Sequence, residues 1–165
     1  MPVQIRKALV SDLDGISRIY NQGISERTAT FETGHRTPRE LEPWLKSGFP
    51  VMVAVENSGI VGFAASFPYS SRQCCRGIGE FSVYVLRASR GHGIGTRTLK
   101  ALIMEAEKAG LWKLVSKVFV ENTASRHMLN GIGFREIGIH ERHAKLDGIW
   151  KDVVVVEYLI TGNMN

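Results

Sequence analysis

A glycine-rich turn between an apolar strand pattern and a long amphipathic helix pattern is the strongest constraint in this sequence. The strand pattern contains Val83, and glycines follow it at alternate positions, Gly91, Gly93 and Gly95. Glycines at such a turn let the backbone come close to an anion, and the first free N–H groups of the helix point toward it. The turn therefore predicts a pyrophosphate site at a helix N-terminus.

The side chains of the turn agree with this prediction. Arg90 brings a positive charge and His92 a further donor, and the formal net charge of the chain is +5. No Lys-Ser or Lys-Thr pair follows Gly95, so nothing would hold the magnesium ion of a nucleotide as in a P-loop. The spacing is also a weak match to a Rossmann turn. A nucleic-acid partner is not expected, because no basic run is interleaved with aromatic residues.

Length and composition place the chain in a broad class. Its 165 residues, 44% hydrophobic and 22% charged, predict one globular domain over 1–165. The two cysteines, Cys74 and Cys75, are neighbours, which suits neither a disulfide nor a zinc site, and the histidines lack metal-ligand spacing. No apolar run approaches the ~20 residues of a membrane helix. We therefore expect a reduced, cytoplasmic protein without a metal and without membrane contact.

The order of strand and helix patterns predicts an α/β (α+β) fold, a mixed sheet with helices on its faces. The order is β-α-α-β-β-β-α-β-α-β-β. Turn signals at 57–59 and 145–148 predict two β-hairpins. Residues 27–35 read as a polar loop around Phe31, whose ring is expected to be exposed.

Two helix starts are predicted from capping residues. Ser11 is the expected N-cap of the first helix, Asp14 completes a capping box, and the helix reaches about Ser25. Thr37 and Glu40 form a second capping box around a proline at the first helical position.

Several separated motifs carry a resemblance to a known family. Residues 90–95 (RGHGIG) resemble the acetyl-CoA signature, Arg/Gln-x-x-Gly-x-Gly/Ala, of the GNAT acetyltransferase superfamily, and residues 122–125 (NTAS) resemble its second cofactor segment. The resemblance covers nearly the whole chain and implies a GNAT fold, with a mixed sheet of about seven strands and about four helices. Within the superfamily the chain is similar to the phosphinothricin and arsinothricin N-acetyltransferases through the motifs at 19–24 (IYNQGI), 29–33 (ATFET), 67–69 (FPY), 80–85 (EFSVYV), 112–119 (WKLVSKVF), 143–148 (HAKLDG) and 148–153 (GIWKDV).

The resemblance implies that acetyl-CoA lies in a V-shaped opening between the central strands. The strand backbone would pair with its pantetheine arm, the glycine turn would hold its pyrophosphate, and Asn122 and Ser125 would bind it from the next helix. A helix N-cap role accounts equally well for Asn122. The residues assigned to the cofactor are Val83, Tyr84, Val85, Arg90, Gly91, His92, Gly93, Ile94, Gly95, Thr96, Asn122 and Ser125.

Glu80 is the expected general base, by resemblance to the acidic residue of this branch. Partial burial at the start of an apolar strand would raise its pKa and help it accept a proton from an ammonium group, and a solvated strand end is the alternative. Related enzymes often carry a Tyr or His acid where this sequence has Leu129, and His127 falls on another helix face. Tyr84 or water would then serve the leaving thiolate.

Arg72 lies in the loop where the branch places an arginine for the acidic groups of its substrate. A guanidinium can bind a carboxylate or a phosphinate through two parallel hydrogen bonds. Tyr69 would form part of the same pocket, with Phe31 and Glu32 on its other side. The alternatives are an exposed loop arginine and, for Phe31, a contact in the core or in a dimer.

These observations favour an enzyme that acetylates the α-amino group of a small acidic amino acid, such as the glutamate analogues phosphinothricin and arsinothricin. Acetylation removes the ammonium charge, so the resemblance implies resistance by detoxification. The alternatives are an acetyltransferase of methionine sulfone, methionine sulfoximine or a peptide or protein amine, and a non-catalytic acyl-CoA-binding module. The resemblance also implies a homodimer.

Overall fold

The computed structural model of the chain describes residues 2–165. Within this range the chain forms seven strands in one mixed sheet and four α-helices, which confirms the predicted fold class. In chain order the elements are β1 (Gln4–Lys7), α1 (Leu13–Glu26), α2 (Pro38–Lys46), β2 (Val51–Glu56), β3 (Gly59–Pro68), β4 (Ile78–Val85), α3 (Ile94–Lys108), β5 (Lys113–Phe119), α4 (Thr123–Ile132), β6 (Arg135–Leu146) and β7 (Ile149–Leu159).

The sheet has the order β1-β2-β3-β4-β5-β7-β6, and its neighbouring strands are antiparallel except for β4 and β5. These two parallel strands are joined through α3, because a parallel pair needs a long crossover. Helices α1 and α2 cover one face, where Ile16 and Leu41 belong to the same buried cluster as Phe63. Helices α3 and α4 cover the other face and contribute Leu99 and Leu129 to the main core.

The parallel strands β4 and β5 separate shortly after they begin. Their register pairs only residues 78–80 with residues 113–115. Beyond Glu80 the ladder stops, and Ser116 Oγ donates a hydrogen bond of 2.9 Å to the Phe81 carbonyl at the point of divergence. The V-shaped opening expected between the central strands is therefore present in the middle of the sheet.

The start of α1 differs from the prediction. The N-cap position is Asp12 rather than Ser11, because the chain enters the helix through a short 3-10 turn at Val10–Asp12. The Asp12 carboxylate does not cap α1. It pairs instead with the Arg6 guanidinium on β1, at 2.7 Å. The predicted capping box of Ser11 and Asp14 is therefore wrong.

The second helix and the hairpins follow the sequence more closely. Thr37 Oγ1 accepts the Glu40 N–H at 3.3 Å, and the Glu40 carboxylate accepts the Thr37 N–H at 2.6 Å, which confirms the capping box of α2. Both hairpins are present, but the second turn is shorter than predicted. Strands β6 and β7 continue up to a two-residue turn, Asp147 and Gly148, instead of stopping at the ends of 145–148.

Strand β6 forms one edge of the sheet and carries exposed apolar side chains at Ile137 and Ile139. The homodimer implied by the resemblance stays a prediction. Across residues 2–165, none of the helices has both the length and the apolar character that crossing a bilayer requires.

Candidate active site

The gap between the diverging strands opens into a cavity of about 470 Å³. Residues 81–85 of β4 line one side and residues 116–118 of β5 the other. The glycine turn, residues 124–125 and 128–129 of α4 and residues 28–29 after α1 contribute most of the remaining lining. The fold thus brings the two predicted cofactor segments to one cavity.

The backbone of β4 offers hydrogen-bonding groups to this cavity at alternate residues. At the end of the strand the Leu86 N–H donates to the Val61 carbonyl, at 2.8 Å, in the direction of β3. Because successive residues of a strand direct their backbone groups to opposite sides, Tyr84 also faces β3, whereas Val83 and Val85 face the cavity. The predicted backbone contact with a pantetheine arm fits Val83 and Val85 and does not fit Tyr84.

The glycine turn has the geometry of an anion site. Gly91 and Gly93 have φ angles of 82° and 75°, in the left-handed region that favours glycine, and the space beside each is open. The Arg97 N–H donates to the Gly93 carbonyl as the first helical bond of α3, so the N–H groups of residues 94–96 have no partner within the helix. No acidic side chain lies in the first turn. These donors suit a diphosphate.

Arg90 lines the cavity, but its guanidinium is already bound by groups of the protein. Its two Nη atoms donate to the Glu26 carboxylate at 2.8 and 2.7 Å, and its Nε donates to the Val85 carbonyl at 3.0 Å. This guanidinium holds the pKa of Glu26 below its ordinary value. The charge predicted for the pyrophosphate is therefore neutralised within the protein. His92 is exposed, outside the cavity lining, with Nδ1 3.3 Å from the Ser89 carbonyl.

Asn122 is the N-cap of α4, as the alternative interpretation held. Its side-chain oxygen accepts the Ser125 N–H at 3.2 Å, and its amide nitrogen donates to the Thr28 carbonyl at 3.4 Å. Both Asn122 and Ser125 line the cavity, and their contact with a cofactor stays a prediction. Gly95 lets α3 and α4 approach each other, because a Cβ atom there would lie 3.0 Å from Met128 Sδ.

Glu80 is the last residue of β4 that pairs with β5, so it lies where the two strands diverge. Its side chain is 43% exposed, and its Oε1 atom lies 3.7 Å from Lys117 Nζ. The surroundings therefore shield the carboxylate from water only in part and place a cation beside it. Lys117, which lines the cavity, was not among the residues predicted from the sequence. A lysine in the middle of the apolar strand Lys113–Phe119 is the signal that could have indicated it.

The three side chains considered for protonating the thiolate differ in their surroundings, and the role of Tyr84, which lines the cavity, stays a prediction. The Tyr84 ring packs against Tyr20 and Phe63, with ring centroids 5.3 and 5.5 Å apart, and burial raises the pKa of Tyr84 well above its ordinary value. Leu129 is buried in the core, and His127 is exposed outside the cavity lining. Tyr84 is therefore a weaker acid than a tyrosine in water.

The five residues predicted to contact the acceptor, Glu80 and four others, lie outside the cavity lining. Tyr69 and Arg72 are exposed in the loop between β3 and β4. Phe31 packs edge-on against the buried Phe119, with centroids 4.9 Å apart, so the expectation of an exposed ring is wrong. Glu32 is exposed in the same segment as Phe31. Contact of these five residues with an acceptor stays a prediction.

The two neighbouring cysteines are free thiols. Cys74 Sγ lies 3.8 Å from Cys75 Sγ, on the same loop as Arg72. Within residues 2–165 no group of three His, Cys, Asp or Glu side chains is placed to share a metal ion.

A cavity between diverging parallel strands, free backbone groups along one of them and a glycine turn at a helix N-terminus together define an acyl-CoA-dependent N-acyltransferase. The sequence profile of the acetyltransferase (GNAT) family matches residues 18–134. The chain therefore belongs to this family and is an N-acetyltransferase that uses acetyl-CoA. The predicted family, the GNAT fold and the enzyme class are confirmed.

Relatives with named substrates are similar over nearly their whole length. The chain is 32% identical over 165 residues to the L-methionine sulfoximine/L-methionine sulfone acetyltransferase of Pseudomonas aeruginosa, with 95% of this chain and 94% of that protein covered. It is 29% identical over 162 residues to the phosphinothricin N-acetyltransferase of Streptomyces coelicolor, with 94% and 95% covered.

Solved structures share the fold. The structure of yncA from Salmonella typhimurium with its cofactor acetyl-CoA has a TM-score of 0.90 and 27% identity, with 96% of this chain and 94% of that chain covered. The ribosomal-protein-alanine N-acetyltransferase of Brucella melitensis has a TM-score of 0.91 and 30% identity, with 95% and 99% covered.

Proposed function

We propose that the chain acetylates the α-amino group of a small amino acid whose side chain ends in a tetrahedral, oxygen-bearing centre. Phosphinothricin and arsinothricin are the first candidates, and methionine sulfone and methionine sulfoximine are the second. Relatives named for both kinds of acceptor support this range, because they resemble the chain to a similar degree. With the first candidates, acetylation removes the ammonium charge that the analogue shares with glutamate, which would give resistance by detoxification.

The position of Glu80 carries this proposal. Its carboxylate lies where β4 and β5 separate, one residue before the cavity-lining part of β4 and 3.7 Å from the ammonium of Lys117, which lines the cavity. The side chain of Glu80 is 43% exposed. An ammonium group bound at this fork would meet a base next to the acetyl donor. Holding amine and thioester together supplies a large part of the rate.

The transfer is direct and needs no acyl-enzyme. Glu80 takes a proton from the acceptor ammonium, and the free amine attacks the acetyl carbonyl carbon. The N–H of Val85, which faces the cavity, polarises the thioester carbonyl as negative charge develops on its oxygen. The C–N bond forms and the C–S bond breaks. The nitrogen loses its second proton, the sulfur takes up one proton, and coenzyme A leaves as the thiol.

The two kinds of candidate acceptor differ in charge more than in shape. In phosphinothricin and methionine sulfone alike, a methyl-bearing tetrahedral centre stands two methylene groups from the α-carbon. The phosphinate is an anion, and the sulfone is neutral. We propose that Arg72, exposed on the loop just before β4, binds the anionic group through charge-assisted hydrogen bonds.

Substitution of Arg72 tests which acceptor the site recognises. A thiol-release assay of Arg72→Met should show kcat/KM for phosphinothricin reduced by about 10- to 100-fold, the value of one charge-assisted contact, and kcat/KM for methionine sulfone reduced by less than about threefold. Arg76→Met is the matched control, because Arg76 lies on the same loop over the Trp112 ring, 5.7 Å from its centroid. It should leave both acceptors unchanged.

If Arg72→Met lowers kcat/KM equally for both acceptors, Arg72 does not recognise the negative charge of phosphinothricin. If the wild-type enzyme acetylates methionine sulfone but not phosphinothricin, the acceptors are methionine sulfone and methionine sulfoximine. If thiol is released only with a lysine peptide or a peptide with an N-terminal alanine, the acceptor is a protein amine and not a small amino acid. In each case Glu80→Gln should lower kcat by about 100-fold while coenzyme A still binds.

A further inference from the structure

Among the side chains considered for the leaving thiolate, only Tyr84 is an acid that lines the cavity, and it is a weak one. Leu129 is apolar and buried, His127 lies outside the cavity lining, and burial raises the pKa of Tyr84. Two cationic side chains line the cavity. One of them, Arg90, already makes three hydrogen bonds, two to the Glu26 carboxylate and one to the Val85 carbonyl.

Lys117 is the other cation of the cavity lining. Val115 on β5 is the register partner of Glu80. Lys117 lies two residues beyond Val115, so the side chains of Val115 and Lys117 are on the same face of the sheet. The Lys117 side chain is 41% exposed, and its Nζ lies 3.7 Å from Glu80 Oε1. That separation is longer than a hydrogen bond, so the ammonium keeps N–H groups for a ligand in the cavity.

We propose that Lys117 is a catalytic residue, which stabilises the leaving thiolate of coenzyme A and gives it a proton. This inference rests on the acetyl transfer proposed above, with Glu80 as the base. It also explains how the chain manages without a Tyr or His at the position of Leu129. An ammonium group in a cleft stabilises developing negative charge more than water does, because it is already oriented when the charge appears.

The proton balance of the step closes with these two residues. The acceptor ammonium loses its first proton to Glu80. The amine nitrogen attacks, the C–N bond forms, and the electron pair of the breaking C–S bond passes to sulfur, which takes a proton from Lys117. The second proton shed by the nitrogen restores the Lys117 ammonium, and the proton on Glu80 leaves to solvent. Each turnover converts an ammonium and a thioester into an amide, a thiol and one released proton.

Substitutions of Lys117 test the proposal in the full-length enzyme. In the thiol-release assay, Lys117→Met should lower kcat by about 100-fold, while KM for acetyl-CoA and the calorimetric affinity for coenzyme A stay within about twofold. Lys117→Arg keeps the charge and should recover most of that loss. Lys113→Met is the matched control, because Lys113 is on the same strand and also pairs with a glutamate, Glu157, at 3.3 Å, outside the cavity lining. It should keep kcat.

A purely structural role, in which Lys117 only holds Glu80, makes a different prediction. The double variant Glu80→Gln with Lys117→Met would then be no slower than Glu80→Gln alone, whereas the proposal expects a further loss of at least about tenfold. Unchanged kcat in Lys117→Met, or a rise in KM for acetyl-CoA with kcat retained, would also overturn the proposal. An active Glu80→Gln beside an inactive Lys117→Met would remove Glu80 as the base and leave the role of Lys117 standing.

Discussion

The Arg90 guanidinium is bound to the Glu26 carboxylate through two hydrogen bonds of 2.8 and 2.7 Å. The pair joins the last turn of α1 to the turn after β4, and the third nitrogen of Arg90 holds the Val85 carbonyl. Arg87 adds a single, longer contact of 3.4 Å to Glu26. The arginine of the signature motif therefore connects α1 to the wall of the cavity, whereas the N–H groups of residues 94–96 have no partner within the helix.

Loss of Arg90 should lower the stability of the fold. In Arg90→Met the Glu26 carboxylate, which is only 13% exposed, keeps one cation nearby, Arg87 at 3.4 Å. The Val85 carbonyl loses the donor that Arg90 provides. The free energy of unfolding should fall by about 1 to 2 kcal/mol. Arg87→Met is the control and should cost less than about 0.5 kcal/mol. Urea unfolding measures both.

A loss of coenzyme A affinity without a loss of stability would support the prediction that Arg90 binds the pyrophosphate. If Arg90→Met keeps its stability but loses coenzyme A affinity by tenfold or more (about 1.4 kcal/mol), the guanidinium turns to the pyrophosphate when the ligand binds. Calorimetric titration with coenzyme A separates the two outcomes.

A methyl group at Gly93 should weaken both the fold and cofactor binding. The φ of 75° at this N-cap of α3 costs an alanine about 1 to 2 kcal/mol. Any relaxation of the turn moves the free N–H groups that follow it, so affinity for coenzyme A should fall by about tenfold. Gly131→Ala is the matched control, because that glycine lies within α4 with open space around it and no positive φ. It should stabilise by up to about 1 kcal/mol and leave binding unchanged.

The parts of the fold that the sequence predicted well have local causes. The capping box of Thr37 and Glu40 closes within three residues. The first hairpin turn forms because Asn57 and Ser58 adopt positive φ angles of 49° and 65° between two strand patterns. In both cases the residues that decide the structure are also the residues that make the contact.

The contacts of the candidate site that the sequence did not predict involve partners far away in the chain. Arg90 meets a carboxylate 64 residues earlier, and Asn122 reaches a carbonyl 94 residues earlier. Lys117 meets Glu80 only because β4 and β5 are parallel neighbours. Local sequence fixes which groups a residue can offer. Only the topology decides which group it meets, so the glycine turn was predictable and the orientation of its arginine was not.

Phe31 should behave as a packing residue in mutational tests. Its ring contacts Phe119 in a small cluster that also contains Leu146 and Val153. Phe31→Ala should lower the free energy of unfolding by about 2 kcal/mol, less than for a fully buried ring, and Phe31→Leu should restore most of it. In the thiol-release assay Phe31→Leu should keep kcat/KM for the acceptor within about twofold. A selective rise in acceptor KM would instead show that the ring forms the wall of the acceptor pocket.

The ion pair of Arg6 and Asp12 should make stability depend on pH. The guanidinium holds the pKa of the buried Asp12 carboxyl below its ordinary value. A carboxyl with a lowered folded pKa contributes stability above its unfolded pKa, about 3.9, and loses that contribution as pH falls through the folded value. Near neutral pH, Asp12→Asn should therefore cost about 1 to 3 kcal/mol, because the buried charge-assisted contacts are lost.

The difference between wild type and Asp12→Asn should shrink as the pH is lowered below the unfolded pKa of Asp12 and through its lowered folded pKa, because the wild-type carboxyl then becomes protonated as well. Urea unfolding of both proteins at near-neutral pH and at about pH 3 measures this change. Asp14→Asn is the control, because Asp14 is exposed one helical position beyond Leu13 and makes no ion pair within residues 2–165. A difference between wild type and Asp12→Asn that stays constant across the pH range would assign the stability to packing and hydrogen-bond shape instead of to the charge on Asp12.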